Sequence, residues 1–178
     1  MIWLLIAVAA AGLDQFTKWI VVSNIELYEE VDFIDGFVCW TYQRNKGAAF
    51  GMLADNRWVF MLLSAVALAV MIYILADRRF RPKSRIFCLA LAFLAGGGAG
   101  NMIDRLFRLD EAGEAYVVDF IKTQFVDFAI FNVADSFITI GAVLLGIWLI
   151  FIESRSQRAN GDGGKEDHEQ DITADSGE

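Results

Sequence analysis

Four long apolar stretches decide what this chain can fold into. They run over residues 2–22, 58–76, 86–106 and 130–152. Each matches the roughly 20 helical residues needed to cross a hydrocarbon layer about 30 Å thick. A backbone in lipid must satisfy its own hydrogen bonds, so such stretches have to be helical. With 56% hydrophobic residues over 178 positions, the chain cannot be an ordinary soluble domain. It is expected to be an α-helical integral membrane protein with four transmembrane helices. Trp3, Trp19, Trp58 and Trp148 fall near the ends of these stretches, where an amphipathic indole prefers the headgroup zone. The first stretch reads as a retained span rather than a cleaved signal, because no Lys or Arg precedes it and hydrophobicity resumes at Trp19–Val22.

Basic residues set the orientation, since they are retained on the cytoplasmic side. Arg78, Arg79, Arg81, Lys83 and Arg85 lie between the second and third stretches, and Arg155 and Arg158 follow the fourth. The other two connections are acidic, with Glu26, Glu29, Glu30, Asp32 and Asp35 in one and Asp110, Glu111 and Glu114 in the other. Both termini are therefore expected in the cytoplasm. Residues 1–153 make one membrane domain with outer loops 23–57 and 107–129. Residues 154–178 form an acidic tail with almost nothing apolar to bury, expected to be disordered.

The outer loops are long enough to carry structure. Residues 37–42 and 116–121 are rich in β-branched and aromatic side chains, which predicts a small outer-face β-sheet within this loop and helix region.

Several chemistries are missing from the sequence. The one histidine, His168, lies in the tail, which removes a His-based metal site or a Ser–His or Cys–His pair from the membrane domain. Cys39 and Cys88 fall on opposite sides of the bilayer, so no intramolecular disulfide is expected. The glycines at 96, 97, 98 and 100 lack the Lys-Ser/Thr of a phosphate loop and lie within a span. Gly96 and Gly100 have the spacing that lets helices pack closely. No metal, cofactor, nucleic-acid partner or obligate protein partner is expected. If the chain is an enzyme, carboxylates carry the chemistry.

Ionisable groups beside or inside spans are costly and mark function by default. Asp14 lies roughly 18 Å along a helix entering from the cytoplasm, at 1.5 Å per residue, and Lys18 is one turn further. Asn101, Asp104 and Arg105 fall at the outer end of the third helix, and Asn132, Asp135 and Ser136 at the outer start of the fourth. Asn45 and Asp119 belong to the outer loops. Residues 120–134 must turn back for Asp119 to reach Asp135. All these groups converge on one depth, and spacings of three and four let them share inward faces.

Each has a plainer reading. Asp135 suits the positive end of a helix dipole, Asp119 is one acid in an acidic loop, and Asp14 with Lys18 makes a structural ion pair. Asp104 and Arg105 suit an interfacial anchor, with Arg105 free to meet lipid phosphate or a substrate carbonyl. Asn45 suits the turn before Gly47. Asp32, Asp110 and Asp127 carry no motif and read as solvated loop acids.

Five blocks bear a family resemblance: DQFTK at 14–18, NKGAAF at 45–50, GNMIDR at 100–105, VVDF at 117–120 and FNVADS at 131–136. In this order, up to about residue 153, the chain resembles bacterial lipoprotein signal peptidase (signal peptidase II), an aspartic peptidase family. The resemblance implies that Asp119 and Asp135 are the catalytic pair. It also implies support or substrate contact from Asp14, Lys18, Asn45, Gly47, Asn101, Arg105, Asn132 and Ala134. The implied substrate is a membrane-inserted prolipoprotein whose lipobox cysteine carries a diacylglyceryl group, cut just before that cysteine. Membrane lipids are the other implied partners. The implied location is the bacterial cytoplasmic (inner) membrane, with the site on its outer face.

Two other classes are weighed against this. A proton-coupled transporter needs a polar path reaching both faces, but 59–76 is almost devoid of polar residues and the cytoplasmic halves of the first and third helices are apolar. A non-enzymatic membrane scaffold would tolerate Asp119→Asn, whereas a peptidase would not.

Overall fold

The structure, a computed structural model, describes residues 1–47, 57–77, 79 and 84–151. The expected tail at 154–178, most of the basic connection and residues 48–56 lie outside the described residues. The elements are helix α1 (Ile2–Asn24), strands β1 (Glu30–Ile34) and β2 (Val38–Asn45), helices α2 (Arg57–Ala76) and α3 (Arg85–Phe107), strand β3 (Val117–Thr123) and helix α4 (Val133–Phe151). Each apolar stretch has become a helix. Three of them, α1, α3 and α4, are long and apolar enough to cross a membrane.

Helix α3 is the centre of the bundle, and its glycines are the reason. A methyl group at Gly96 would stand 2.6 Å from the Ala7 carbonyl oxygen and 2.7 Å from Ala10 Cβ, and one at Gly100 would stand 2.5 Å from Asp14 Oδ2. The opposite face of α3 is just as close to α4: a methyl at Gly97 would collide with the Ala134 carbonyl oxygen and lie 2.9 Å from Ile138 Cγ1. Small residues thus let both neighbours approach backbone to backbone, as the glycine spacing predicts. Helix α2 packs on α3 through Leu75, Cys88, Leu91, Ala92 and Ala95, with Ala7 of α1 joining the same cluster. Apolar side chains such as Leu5, Val8, Leu62, Val66, Val143 and Ile150 point outward, as a lipid-facing surface requires.

The sheet has the order β1-β2-β3, antiparallel throughout. It caps the end of the bundle where α1 stops and α4 begins, resting on Val21 through Tyr42, Tyr116, Val118 and Phe120. Strand β1 is an addition to the sequence reading, which took 30–34 as acidic loop. Every one of its residues is exposed, so no burial pattern announces it, and its backbone bonds to β2 make it a strand. The register of β2 on β3 shifts between Trp40↔Ile121 and Gln43↔Asp119. Thr41 and Tyr42 therefore oppose Phe120 alone, a bulge that bends the strand next to Asp119. After β3 the chain folds back, and Phe131 exchanges backbone hydrogen bonds with Ile121 at 3.1 and 2.8 Å. That return places the start of α4 beside β3. Cys39 and Cys88 are both buried and neither is in a disulfide.

Candidate active site

At the sheet end of the bundle, α1 contributes a fully buried lysine. Lys18 Nζ lies 2.9 Å from Asp14 Oδ2 and 2.9 Å from Asp104 Oδ2, and donates to Asn101 Oδ1 at 2.9 Å. Asp14, Lys18 and Asp104 are all inaccessible to solvent. A buried charge needs both a partner and full hydrogen bonding, and here that need ties elements together. Asp14 Oδ1 accepts from the Ala134 backbone N–H at 2.9 Å, fixing the first turn of α4 to α1. Asp104 Oδ2 accepts from the Val118 N–H at 3.0 Å, fixing β3 to α3. Gln15 Nε2 and Arg108 Nε each donate to Asp104 Oδ1 at 3.0 Å. No buried side-chain nitrogen or oxygen among the described residues lacks a partner.

The residues gripped in this way are the immediate neighbours of Asp135 and Asp119. Asn132 stands between those two carboxyls. Its Nδ2 donates to Asp119 Oδ1 at 2.7 Å, and its Oδ1 accepts from the Asp135 N–H at 2.9 Å. Asp135 Oδ2 in turn accepts from the Asn132 N–H at 3.1 Å. This is a reciprocal cap on the first turn of α4, Asn and Asp taking the places usually held by Ser and Glu. Asn101 Nδ2 donates to Asp135 Oδ1 at 2.8 Å. Asn45 Nδ2 donates to Asp119 Oδ2 at 2.7 Å. One chain of bonds therefore runs from Lys18 through Asn101 to Asp135, and another from Asn132 to Asp119.

The two carboxyls differ in surroundings. Asp119 is 2% exposed. Burial pushes its carboxyl up to about 6, the Asp135 charge adds to the rise, and hydrogen bonds from Asn45 and Asn132 with the Lys18 charge hold it from rising further. Asp135 is half-buried in the first turn of α4, where its two oxygens accept from the Asn101 amide and the Asn132 N–H.

The remaining expected site residues are placed as follows. Gly47 has φ +86° and its N–H donates to Asn45 Oδ1 at 2.8 Å, so the left-handed turn is what orients the asparagine. Ala134 is fully buried and gives its N–H to Asp14. Arg105 is exposed, and its Nη1 donates to the Asn101 carbonyl at 3.2 Å. Two readings need correction. Asp104 is not an interfacial anchor but a buried node, because Lys18 and the Val118 N–H turn it inward. Asp110 is not a solvated loop acid: its side chain is 6% exposed, and it pairs with Lys46. Gln15 and Asp110 are functional candidates that sequence reasoning missed, whereas Asp104 was grouped with the converging polar residues but left out of the expected site set. The signal for Asp104 was its place three residues beyond Asn101, on the same helix face.

Comparison with known proteins bears on what this arrangement does. A family model described as signal peptidase (SPase) II matches residues 6–151. A lipoprotein signal peptidase from Geobacillus thermodenitrificans (strain NG80-2) is 42% identical over 154 residues, covering 85% of this chain and 91% of its own length. One from Listeria monocytogenes serotype 4a (strain HCC23) is 38% identical over 160 residues, covering 89% and 98%. A bacterial membrane enzyme solved at 2.3 Å resolution superimposes with a TM-score of 0.73 at 34% identity, covering 86% of this chain and 90% of that one.

Proposed function

The chain belongs to the signal peptidase II family, and from that premise we propose that Asp119 and Asp135 together hydrolyse a lipid-bearing prolipoprotein just before its diacylglyceryl-modified cysteine. As a family member the chain is a membrane-bound peptidase of lipoprotein processing. The observation that carries the finer reading is Asn132, which bonds to Asp119 with its Nδ2 and to the Asp135 N–H with its Oδ1. It holds two carboxyls in one frame with unlike surroundings.

Close carboxyls cannot both ionise cheaply, so the pair shares a proton. Asp119, buried and pushed up to about 6, is the partner that holds it. Asp135 is the ionised one. It takes a proton from a water whose oxygen attacks the scissile carbonyl carbon, while Asp119 gives its proton to the carbonyl oxygen. As the tetrahedral intermediate collapses, the carbon–nitrogen bond breaks. The proton now on Asp135 passes to the departing amine nitrogen, and one hydroxyl proton of the intermediate returns to Asp119. Proton count and charge are restored.

The same reading places the sheet end on the outer face of the cytoplasmic membrane and both termini in the cytoplasm. Glu26, Glu29 and Glu30 lie at the sheet end, and Arg79 and Arg85 at the other, in keeping with retention of basic residues inside. Arg105, exposed at the rim, is then placed to meet a lipid phosphate or a substrate carbonyl. The acyl chains tether the substrate at the depth of the dyad, and proximity lowers the barrier.

Purified protein in liposomes, given a diacylglyceryl prolipoprotein, tests this reading. Mass spectrometry is expected to find a product beginning with the lipidated cysteine. A cut elsewhere, or equal cleavage of the unlipidated precursor, contradicts it.

A further inference from the structure

Asn45, whose amide bonds to Asp119, is the last residue of β2. The residue after it is held from the opposite side. Lys46 Nζ pairs with the Asp110 carboxylate and lies 2.6 Å from Glu114 Oε2. Asp110 is itself fixed: its Oδ1 accepts from the N–H groups of Ala112 at 2.9 Å and Glu114 at 2.8 Å. Its own N–H donates to the Glu114 carbonyl at 2.9 Å. Gly113, at φ +78°, allows this turn to close. One residue before Asn45, Arg44 Nη1 contacts both Glu111 carboxylate oxygens at 2.9 and 2.8 Å, and its guanidinium lies 5.0 Å from the Tyr116 ring centroid. The loop between α3 and β3 thus grips a cation on each side of Asn45.

We propose that the Lys46–Asp110–Glu114 ion pairs are a latch that sets the Asn45 amide on Asp119, making Asp110 a positioning residue for hydrolysis. The inference rests on the reading that Asp119 is one of the reacting carboxyls. Asn45↔Val117 is the last rung of the β2–β3 ladder, and strand ends fray unless tied. Asn45 and Lys46 are adjacent, so holding one fixes the backbone that aims the other. The charges agree: the hydrogen bond to Lys46 lowers the Asp110 carboxyl below its usual range, and Asp110 and Glu114 raise the Lys46 ammonium. The loop supplies no group to Asp119 itself. Among the charged groups acting on Asp119 are Asp135 from α4 and Lys18 from α1.

Asp110→Asn separates a latch from a simple field effect. An amide oxygen can still accept the two turn hydrogen bonds, so the loop keeps its shape while the ion pair loses its charge. Removing a negative charge would, through space alone, favour ionised Asp119 and move the alkaline limb of kcat/KM to lower pH. Releasing Asn45 withdraws a hydrogen bond from ionised Asp119 and moves that limb the other way.

The latch predicts, for Asp110→Asn and for Glu114→Gln, kcat lower by on the order of tenfold with KM little changed. The limb moves to higher pH in both. Lys46→Met behaves like Asp110→Asn, and Lys46→Arg stays near wild type. An unmoved or lowered limb in Asp110→Asn and Glu114→Gln, or wild-type kcat in both, overturns the proposal. Asp119→Asn run alongside keeps the two claims apart: if it cleaves at the wild-type rate the dyad reading fails, whereas an inactive Asp119→Asn with normal Asp110→Asn sinks the latch alone.

Discussion

Asp104 Oδ2 accepts the backbone N–H of Val118 at 3.0 Å, so the last turn of α3 holds β3 one residue before Asp119. The same oxygen meets Lys18 Nζ at 2.9 Å. A single buried carboxylate therefore links the ion pair of α1 to the strand that carries Asp119. Asp104→Ala leaves Lys18, Arg108 and the Val118 N–H short of a partner. The expected loss is about 3–5 kcal/mol of stability, the usual cost of breaking a buried pair from one side. Thermal unfolding in detergent micelles measures it, and a loss below about 1 kcal/mol, in the range of an exposed pair, would show that the node is not holding the fold.

Asn132 has two duties that one substitution can divide. A serine at this position retains an oxygen able to cap α4 but has no amide to donate to Asp119. Asn132→Ser withdraws the buried amide from Asp119, Asn101 Oδ1 and the Val118 carbonyl, and is expected to lose about 1–3 kcal/mol of stability and about 10- to 100-fold in kcat, the worth of a hydrogen bond to a charged group. Equal retention of both stability and turnover would mean that the Asn132–Asp119 bond is incidental.

Asp119 makes stability depend on pH in a direction opposite to an ordinary paired carboxylate. Folded, it holds its proton up to about 6, whereas its usual value is 3.8. Between those values the folded state binds more protons than the unfolded one, so this group's contribution falls as pH rises. The penalty is absent below about 4 and complete above about 6, where it reaches on the order of 3 kcal/mol at 1.36 kcal/mol per unit. Asp119→Asn removes that slope, although it leaves Asn45 or Asn132 without one acceptor. The unfolding temperature of the variant relative to wild type is expected to climb from pH 4 to pH 6 and then level off. A flat difference across that window contradicts the raised Asp119 carboxyl.

Much of this was legible because it depends on local spacing. The helices follow from apolar length, the close packing of α3 from Gly96 and Gly100, and the shared face of Asn132 and Asp135 from their spacing of three. The convergence of polar groups at one depth needed only the helical rise. What stayed hidden depends on partners distant in sequence. Asp110 looks like any loop acid until Lys46 is brought against it, and the role of Asp104 appears only when the Val118 N–H is placed above it. Strand β1 has no buried face to betray it. The bulge opposite Phe120 is a matter of register, which alternation alone does not fix.

The central claim is that two carboxyls act as one unit, and single substitutions at both test it most directly. Cleavage of a diacylglyceryl prolipoprotein in liposomes is to be measured for Asp119→Asn, Asp135→Asn and the double variant, each shown to be folded. The account predicts that each single variant falls to the level of the double one, because effects within a reacting unit are not additive. Near wild-type cleavage by either single variant would contradict it.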